Sequence, residues 1–103
     1  LRDYYEEKLQ LTLGIPTVQY CADKLCMSSN YFGDMVKRMT GDTASDYIRQ
    51  YIIQRAKNEL ATGEGIAQVA YELGFEYPQH LSRMFKKQVG ITPSEYYESL
   101  RKK

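Results

Sequence analysis

Five side chains suited to holding anions or reading hydrogen-bonding groups, Gln79, His80, Arg83, Lys86 and Lys87, recur at helical spacing in one short stretch. Three or four residues apart, they share the helix face opposite Leu81, Met84 and Phe85. Arg83 is the leading candidate, because its planar fork matches two acceptors at once, such as guanine O6 and N7 or a phosphate. Gln79 and His80 fall at the start of the helix, where the amide suits adenine N6 and N7, directly or through water. His80 is the single histidine, and no Cys, Asp or second His stands at ligand spacing, so no metal is expected. Plain surface exposure is the alternative for His80. Lys86 and Lys87 suit phosphates, or simply a solvated face.

A second set lies earlier in the chain: Ser29, Asn30, Tyr31, Gly33, Asp34, Lys37 and Arg38. Lys37 and Arg38 repeat the paired bases, but Asp34 cannot clamp a phosphate and is repelled by one. It can accept from cytosine N4 or cap a basic neighbour. This face is expected to position the protein, with Asn30, Tyr31 and Asp34 as candidate base contacts.

The elements that must carry these faces are helices. Apolar residues recur at helical spacing almost throughout, with no sustained period-two alternation. Tyr4, Tyr5, Leu9 and Leu11 to Leu13 suggest a first helix ended by Gly14 and Pro16. Thr17 caps a second bearing Val18, Cys21, Ala22 and Leu25, and Ser28 or Ser29 caps a third bearing Phe32, Met35, Val36 and Met39, stopped by Gly41. Thr43 and Asp46 form a near capping box opening the longest helix, with a stripe of Tyr47, Ile48, Tyr51, Ile52, Arg55, Ala56 and Leu60. After the Gly63-Glu64-Gly65 turn come a fifth helix (Ile66, Val69, Ala70, Leu73, ending at Gly74) and a sixth opening at Pro78. Thr92-Pro93-Ser94-Glu95 is a full capping box opening the last. The expectation is an all-α fold of seven helices.

The chain also repeats itself. A shift of 48 residues lays Val18, Cys21, Ala22 and Leu25 on Ile66, Val69, Ala70 and Leu73. One more residue in the second turn makes the shift 49, laying Phe32, Met35, Val36, Lys37 and Arg38 on Leu81, Met84, Phe85, Lys86 and Lys87. At that shift Gly41, Thr43, Ser45, Asp46 and Tyr47 fall on Gly90, Thr92, Ser94, Glu95 and Tyr96. Helical period explains the apolar matches but not the others, so one structural unit is used twice.

Each unit is a short helix, a tight turn and a longer helix, the helix-turn-helix pattern. The division expected is 1–43 for the first unit, 44–62 for a linker helix and 63–103 for the second. From Ala44 to Leu60 the linker spans roughly 25 Å at ~1.5 Å per residue, which with the helix ends added is of the order of one DNA turn. One chain can therefore present two helices to successive major grooves.

Composition narrows the alternatives. At 103 residues and 43% hydrophobic, the chain suits one small domain. No apolar run approaches the ~20 residues that cross a bilayer, so no membrane contact is expected. The charged start LRDYYEEKLQL is no secretory signal, and its first residue, Leu1, fits a segment of a longer protein. The net charge of +1 says little, because the footprint depends on where the cations lie. Cys21 and Cys26, too far apart around a helix for a local disulfide, are expected as small buried residues, compatible with a reducing cytoplasm. Thr17, Ser28, Ser29 and Thr43 stand where helix starts can meet phosphates, though plain capping is the simpler role. The ten tyrosines, including Tyr47, Tyr51 and Tyr96, fit core or boundary packing better than base stacking. With no Ser/His/Asp set, paired carboxylates or Gly-rich phosphate loop, neither an enzyme nor a cofactor is expected.

The segment IAQVAYELGFEYPQHLSRMFKKQVGITPSEYYES, Ile66 to Ser99, resembles the signature of the AraC/XylS family of bacterial transcription regulators. It carries the A-x-x-x-G-F turn, the S-R-x-F-K-K helix and the G-x-T-P-x-x-Y close. TVQYCADKLCMSSNYFGDMVKRMTGDTASDYI resembles that family's more variable first unit, so the likeness covers essentially the whole chain. It implies a seven-helix, homeodomain-like DNA-binding domain that meets double-stranded promoter DNA through its third and sixth helices. It implies a cytoplasmic regulator with a sensor or receiver region N-terminal to this domain, and in some members a contact with RNA polymerase. Arg83 matches the family's Arg in S-R-x-F. Gly33 and Asp34 depart from it, where better-known members carry a long polar or basic residue and an Arg. An all-α protein-interaction module with degenerate units is the alternative, kept open by the low net charge and Asp34.

Overall fold

The computed structural model describes residues 2–101. Its elements, all helical, are α1 (Arg2–Glu6), α2 (Gln10–Leu13), α3 (Val18–Lys24), α4 (Ser29–Thr40), α5 (Ala44–Ala61), α6 (Ile66–Leu73), α7 (Pro78–Val89) and α8 (Pro93–Arg101). All seven expected helices are present; the first is interrupted, giving α1 and α2. Lys8 takes a left-handed φ of 59°, and the amides of Lys8 and Leu9 close back on the carbonyls of Tyr5 and Tyr4. This is a Schellman stop formed without glycine.

The starts follow the caps read from sequence. Thr17, Ser28 and Thr43 side chains accept from the amides of Tyr20, Tyr31 and Asp46, so Ser28, not Ser29, caps α4. At α8 the box is reciprocal: Thr92 Oγ1 accepts from the Glu95 amide, and Glu95 accepts from the Thr92 amide at 3.2 Å. That amide, with the Thr92 hydroxyl, holds the Glu95 carboxyl below its usual range.

The repeat extends into the coordinates. α3 and α6 start at Val18 and Ile66, α4 and α7 end at Thr40 and Val89, and left-handed Gly41 and Gly90 stop them. Both inter-helix turns are Schellman closures. Cys26 and Met27 bond back to Asp23 and Ala22, while Gly74 and Phe75 bond back to Tyr71 and Ala70. The left-handed residue is Cys26 at φ 56° in one turn and Gly74 at φ 100° in the other.

Packing is uneven between the units. The main core joins Ile48, Ile52, Ile53, Ala56 and Leu60 of α5 to Val69, Ala70, Leu73, Phe75, Leu81 and Phe85, and also takes in Tyr4 and Tyr5. Each fully buried Ile, Leu or Phe contributes ~1.5–3 kcal/mol, which is what fastens α7 to α5. The first unit has a smaller core of Ala22, Phe32, Val36 and Ala44. Beside it lies an open cleft of about 400 Å³, walled by Tyr20, Leu25, Phe32, Val36, Met39 and Tyr47.

Several apolar expectations are corrected here. Met39 is 78% exposed, and Leu25, past the end of α3, is 52% exposed, because nothing packs over the outer side of this cleft. Tyr47 is exposed rather than part of the α5 core stripe, whereas Ile53, absent from that stripe, is buried. Cys21 is half-buried and Cys26 exposed, since Cys26 lies in the turn and not on the helix.

Candidate nucleic-acid interface

α7 is fixed by its buried side. Leu81 and Phe85 are fully enclosed, Met84 packs against the same core, and the Phe85 and Tyr96 rings meet edge to face 5.5 Å apart. One helix turn cannot bury Leu81, Met84 and Phe85 without turning the opposite residues outward. Gln79, His80, Arg83, Lys86 and Lys87 are accordingly all exposed. Pro78 at the first helical position costs no hydrogen bond there. Tyr77, at the cap, sets the edge of its ring against the His80 ring at 5.4 Å, an exposed contact that no sequence pattern indicated.

α4 is held less tightly, by Phe32 and Val36 with Met35 half-buried. Its outer face presents Asn30, Tyr31, Asp34, Lys37 and Arg38, all exposed, with Ser29 and Gly33 partly covered. Tyr31, Asp34, Lys37 and Arg38 surround one shallow concavity, so the structure brings four of the five together. Ser29 is engaged elsewhere, its hydroxyl donating to Gln19 Oε1. No atom stands within 4 Å of where a Gly33 Cβ would lie, so this position is open and its glycine is not a packing requirement.

The charges on these faces are held in no close ion pair. Among the described residues the salt bridges are Arg2–Glu6 and Arg49–Asp46, each within a single helix. Arg83, Lys37, Arg38 and Asp34 form no salt bridge, whereas Lys86 and Lys87 lie near enough to Glu95 and Asp46 to help hold those carboxyls below their usual range. A cation held out of ion pairs keeps its full attraction for an external anion.

A third cluster escaped the sequence reading. Glu59, Glu64 and Glu72 bring carboxylate oxygens within 4.8 Å of one another at the α5–α6 corner. Burial, then the neighbouring Glu72 and Glu64, push Glu59 up to about 7. The three residues lie on a helix end, a turn and the next helix, so no spacing rule signals their meeting.

With these surfaces described, likeness to known proteins is informative. Residues 21–99 match the helix-turn-helix domain family. The Escherichia coli K12 regulatory protein SoxS is 36% identical over 98 residues, covering 94% of this chain and 89% of SoxS. The Bacillus subtilis transcriptional regulatory protein YesN is 32% identical over 77 residues, covering 72% of this chain but only 21% of its own length. The solved C-terminal domain of the response regulator yesN from Fusobacterium nucleatum superposes with a TM-score of 0.77 at 30% identity, covering 93% of this chain and 92% of that one. The match to the family over most of the chain, and to SoxS over nearly all of it, gives the conclusion: this chain belongs to the AraC/XylS family of transcription regulators, as a DNA-binding helix-turn-helix domain.

Proposed function

We propose that this domain binds promoter duplexes sequence-specifically, with α7 reading bases in one major groove and α4 entering the next. The observation that carries this reading is the α7 face. A buried Leu81 and Phe85 side holds Arg83, Gln79 and His80 outward, with Arg83 in no salt bridge. Arg83 fits a bidentate contact with guanine, Gln79 and His80 contact bases near the helix start, and Lys86 and Lys87 hold phosphates. On α4, Lys37 and Arg38 hold phosphates, while Asn30, Tyr31 and Asp34 make the few base contacts. In this division 1–43 positions, 44–62 spaces and 63–103 reads.

The parent protein would carry a sensor or receiver region as well, and act in the cytoplasm with contacts to RNA polymerase. The chain spans 21% of the length of the YesN relative and 89% of SoxS. No helix of the described residues is long and apolar enough to cross a membrane.

The test is selection from random duplexes followed by affinity measurement across salt. Arg83→Ala is expected to lose ~1–3 kcal/mol of discrimination at one base pair, and Lys86→Ala to weaken all sequences alike and reduce the salt slope by about 1. Partner binding without any salt-dependent DNA affinity would favour the interaction-module alternative instead.

A further inference from the structure

We propose that residues 2–16 form a second tie between the two units, and that Gln10, Gly14 and Gly74 are positioning residues fixing the separation of α4 and α7. That separation sets how many base pairs lie between the two stretches of duplex the domain contacts. The proposal rests on the reading that both helices enter major grooves.

A single linker helix would leave the units free to swing at its ends, where Gly41 and Gly63 take left-handed conformations with open space around them. The N-terminal segment removes that freedom. Four carbonyls at the end of α6 lack partners within the helix. Those of Ala70 and Tyr71 accept from the turn amides of Phe75 and Gly74. The other two are met from the far end of the chain: Gln10 Nε2 donates to the Glu72 carbonyl at 2.9 Å, and the Tyr5 hydroxyl donates to the Leu73 carbonyl at 3.2 Å. The Tyr4 hydroxyl donates to the Gly14 carbonyl, closing the segment on itself.

The tie tightens at two glycines. A Cβ on Gly74 would lie 2.8 Å from the Gly14 carbonyl carbon and 3.0 Å from both Cβ and O of Gln10. Two of these are backbone atoms, which cannot turn aside. The matching position in the first turn is Cys26, which carries a side chain, is exposed and still closes the same hydrogen bonds. The turn pattern therefore admits a Cβ; the close approach of Gly14 does not.

The position of this contact gives it leverage. Gly14 stands just before α3 starts at Val18, and Gly74 just before α7 starts at Pro78. Between them Ile15 and Val18 pack on the main core. Helices α3 to α6 and the tie thus make a closed ring, in which the backbone entering the first unit lies against the turn between the two helices of the second.

The experiment takes the selected two-part duplex and inserts or removes one base pair between its halves. Such a change rotates one half by about a tenth of a turn, and the wild type is expected to lose affinity about tenfold. Gly74→Ala and Gln10→Ala are expected to flatten this to under about threefold, with binding to a duplex bearing only the α7 half unchanged. Gly90→Ala carries the same left-handed strain with no neighbour to strike and lies outside the linker ends, and is expected to keep the steep profile. A DNA-free measurement accompanies it. Spin labels at Met39→Cys and Gln88→Cys, in a Cys21→Ala, Cys26→Ser background, are expected to give a narrow distance distribution that Gly74→Ala and Gln10→Ala broaden.

Steep spacing profiles and narrow distances in both variants overturn the proposal, as does equal flattening by Gly90→Ala. Should Gly74→Ala fail to fold, Gln10→Ala, which removes one hydrogen bond, decides alone. If the wild type selects no duplex, the DNA-reading proposal fails and the distance distributions still decide this one.

Discussion

The two helix-turn-helix units share caps, stops and turn hydrogen bonds, yet they are packed to different standards. In the second unit Val69, Ala70, Leu81 and Phe85 are wholly enclosed; in the first, Phe32 and Val36 edge an open cleft of about 400 Å³. The difference runs parallel to the chemistry outside. The tightly held helix carries Arg83, whose fork is useful only if aimed within a fraction of an ångström. The less enclosed one carries Asp34 among Lys37 and Arg38 around a shallow concavity. A repeated scaffold thus need not give a repeated interior: the same caps and turns support two helices enclosed to different degrees.

Substitutions can break or sharpen this contrast. The largest effect is expected from Phe85→Ala, at about 3–5 kcal/mol in urea denaturation, a large share of the ~5–15 kcal/mol that holds an ordinary domain. Phe32→Ala should cost about 2 kcal/mol or less, since one side of that ring already lacks packing atoms. Equal costs would erase the contrast. Next comes Asp34→Arg, which should tighten binding to all sequences and steepen the dependence of log affinity on log salt by about 1. A gain confined to one sequence would show that position 34 reads a base rather than meeting a phosphate.

The smallest effect concerns a flaw at the α5–α6 corner, where the linker helix meets the better-packed unit. Glu59 sits at about 7 against an ordinary 4.5, so its protonated form is the one the fold prefers. Its contribution to stability is complete below about pH 4.5 and is lost as pH rises through about 7. Glu59→Gln should therefore stabilise by about 1 kcal/mol at pH 8, allowing for the solvent that reaches this half-buried group, and by nothing at pH 4. Denaturation curves at both pH values check this.

Much of this was legible in the residues. Thr17, Thr43 and Thr92 cap where their spacing to later residues indicated, and the repeat located both exposed faces from one alignment. These are local signals, written within one or two turns of helix. What escaped depends on distant partners. Tyr4 and Tyr5 announce a buried face, but nothing nearby says that it belongs to the second unit's core. Met39 matches the helical period and still faces solvent, because the wall that would cover it is not supplied by the described residues. The Glu59, Glu64 and Glu72 cluster and the Gly14–Gly74 contact are likewise products of the packed fold.

The tie between the chain's start and α6 also has a consequence in time. The partners of Tyr5 and Gln10 lie 68 and 62 residues downstream. At synthesis rates of about 5–20 residues per second, those residues wait on the order of 3 to 14 s for the ribosome to make what they bind. During that interval Tyr4 and Tyr5 have no core to enter, and the first unit can close around only its own small one. Such surface is what chaperones and neighbouring nascent chains recognise. The domain is thus completed from its far end, and a truncation within α6 would strand the N-terminal helix along with the second unit.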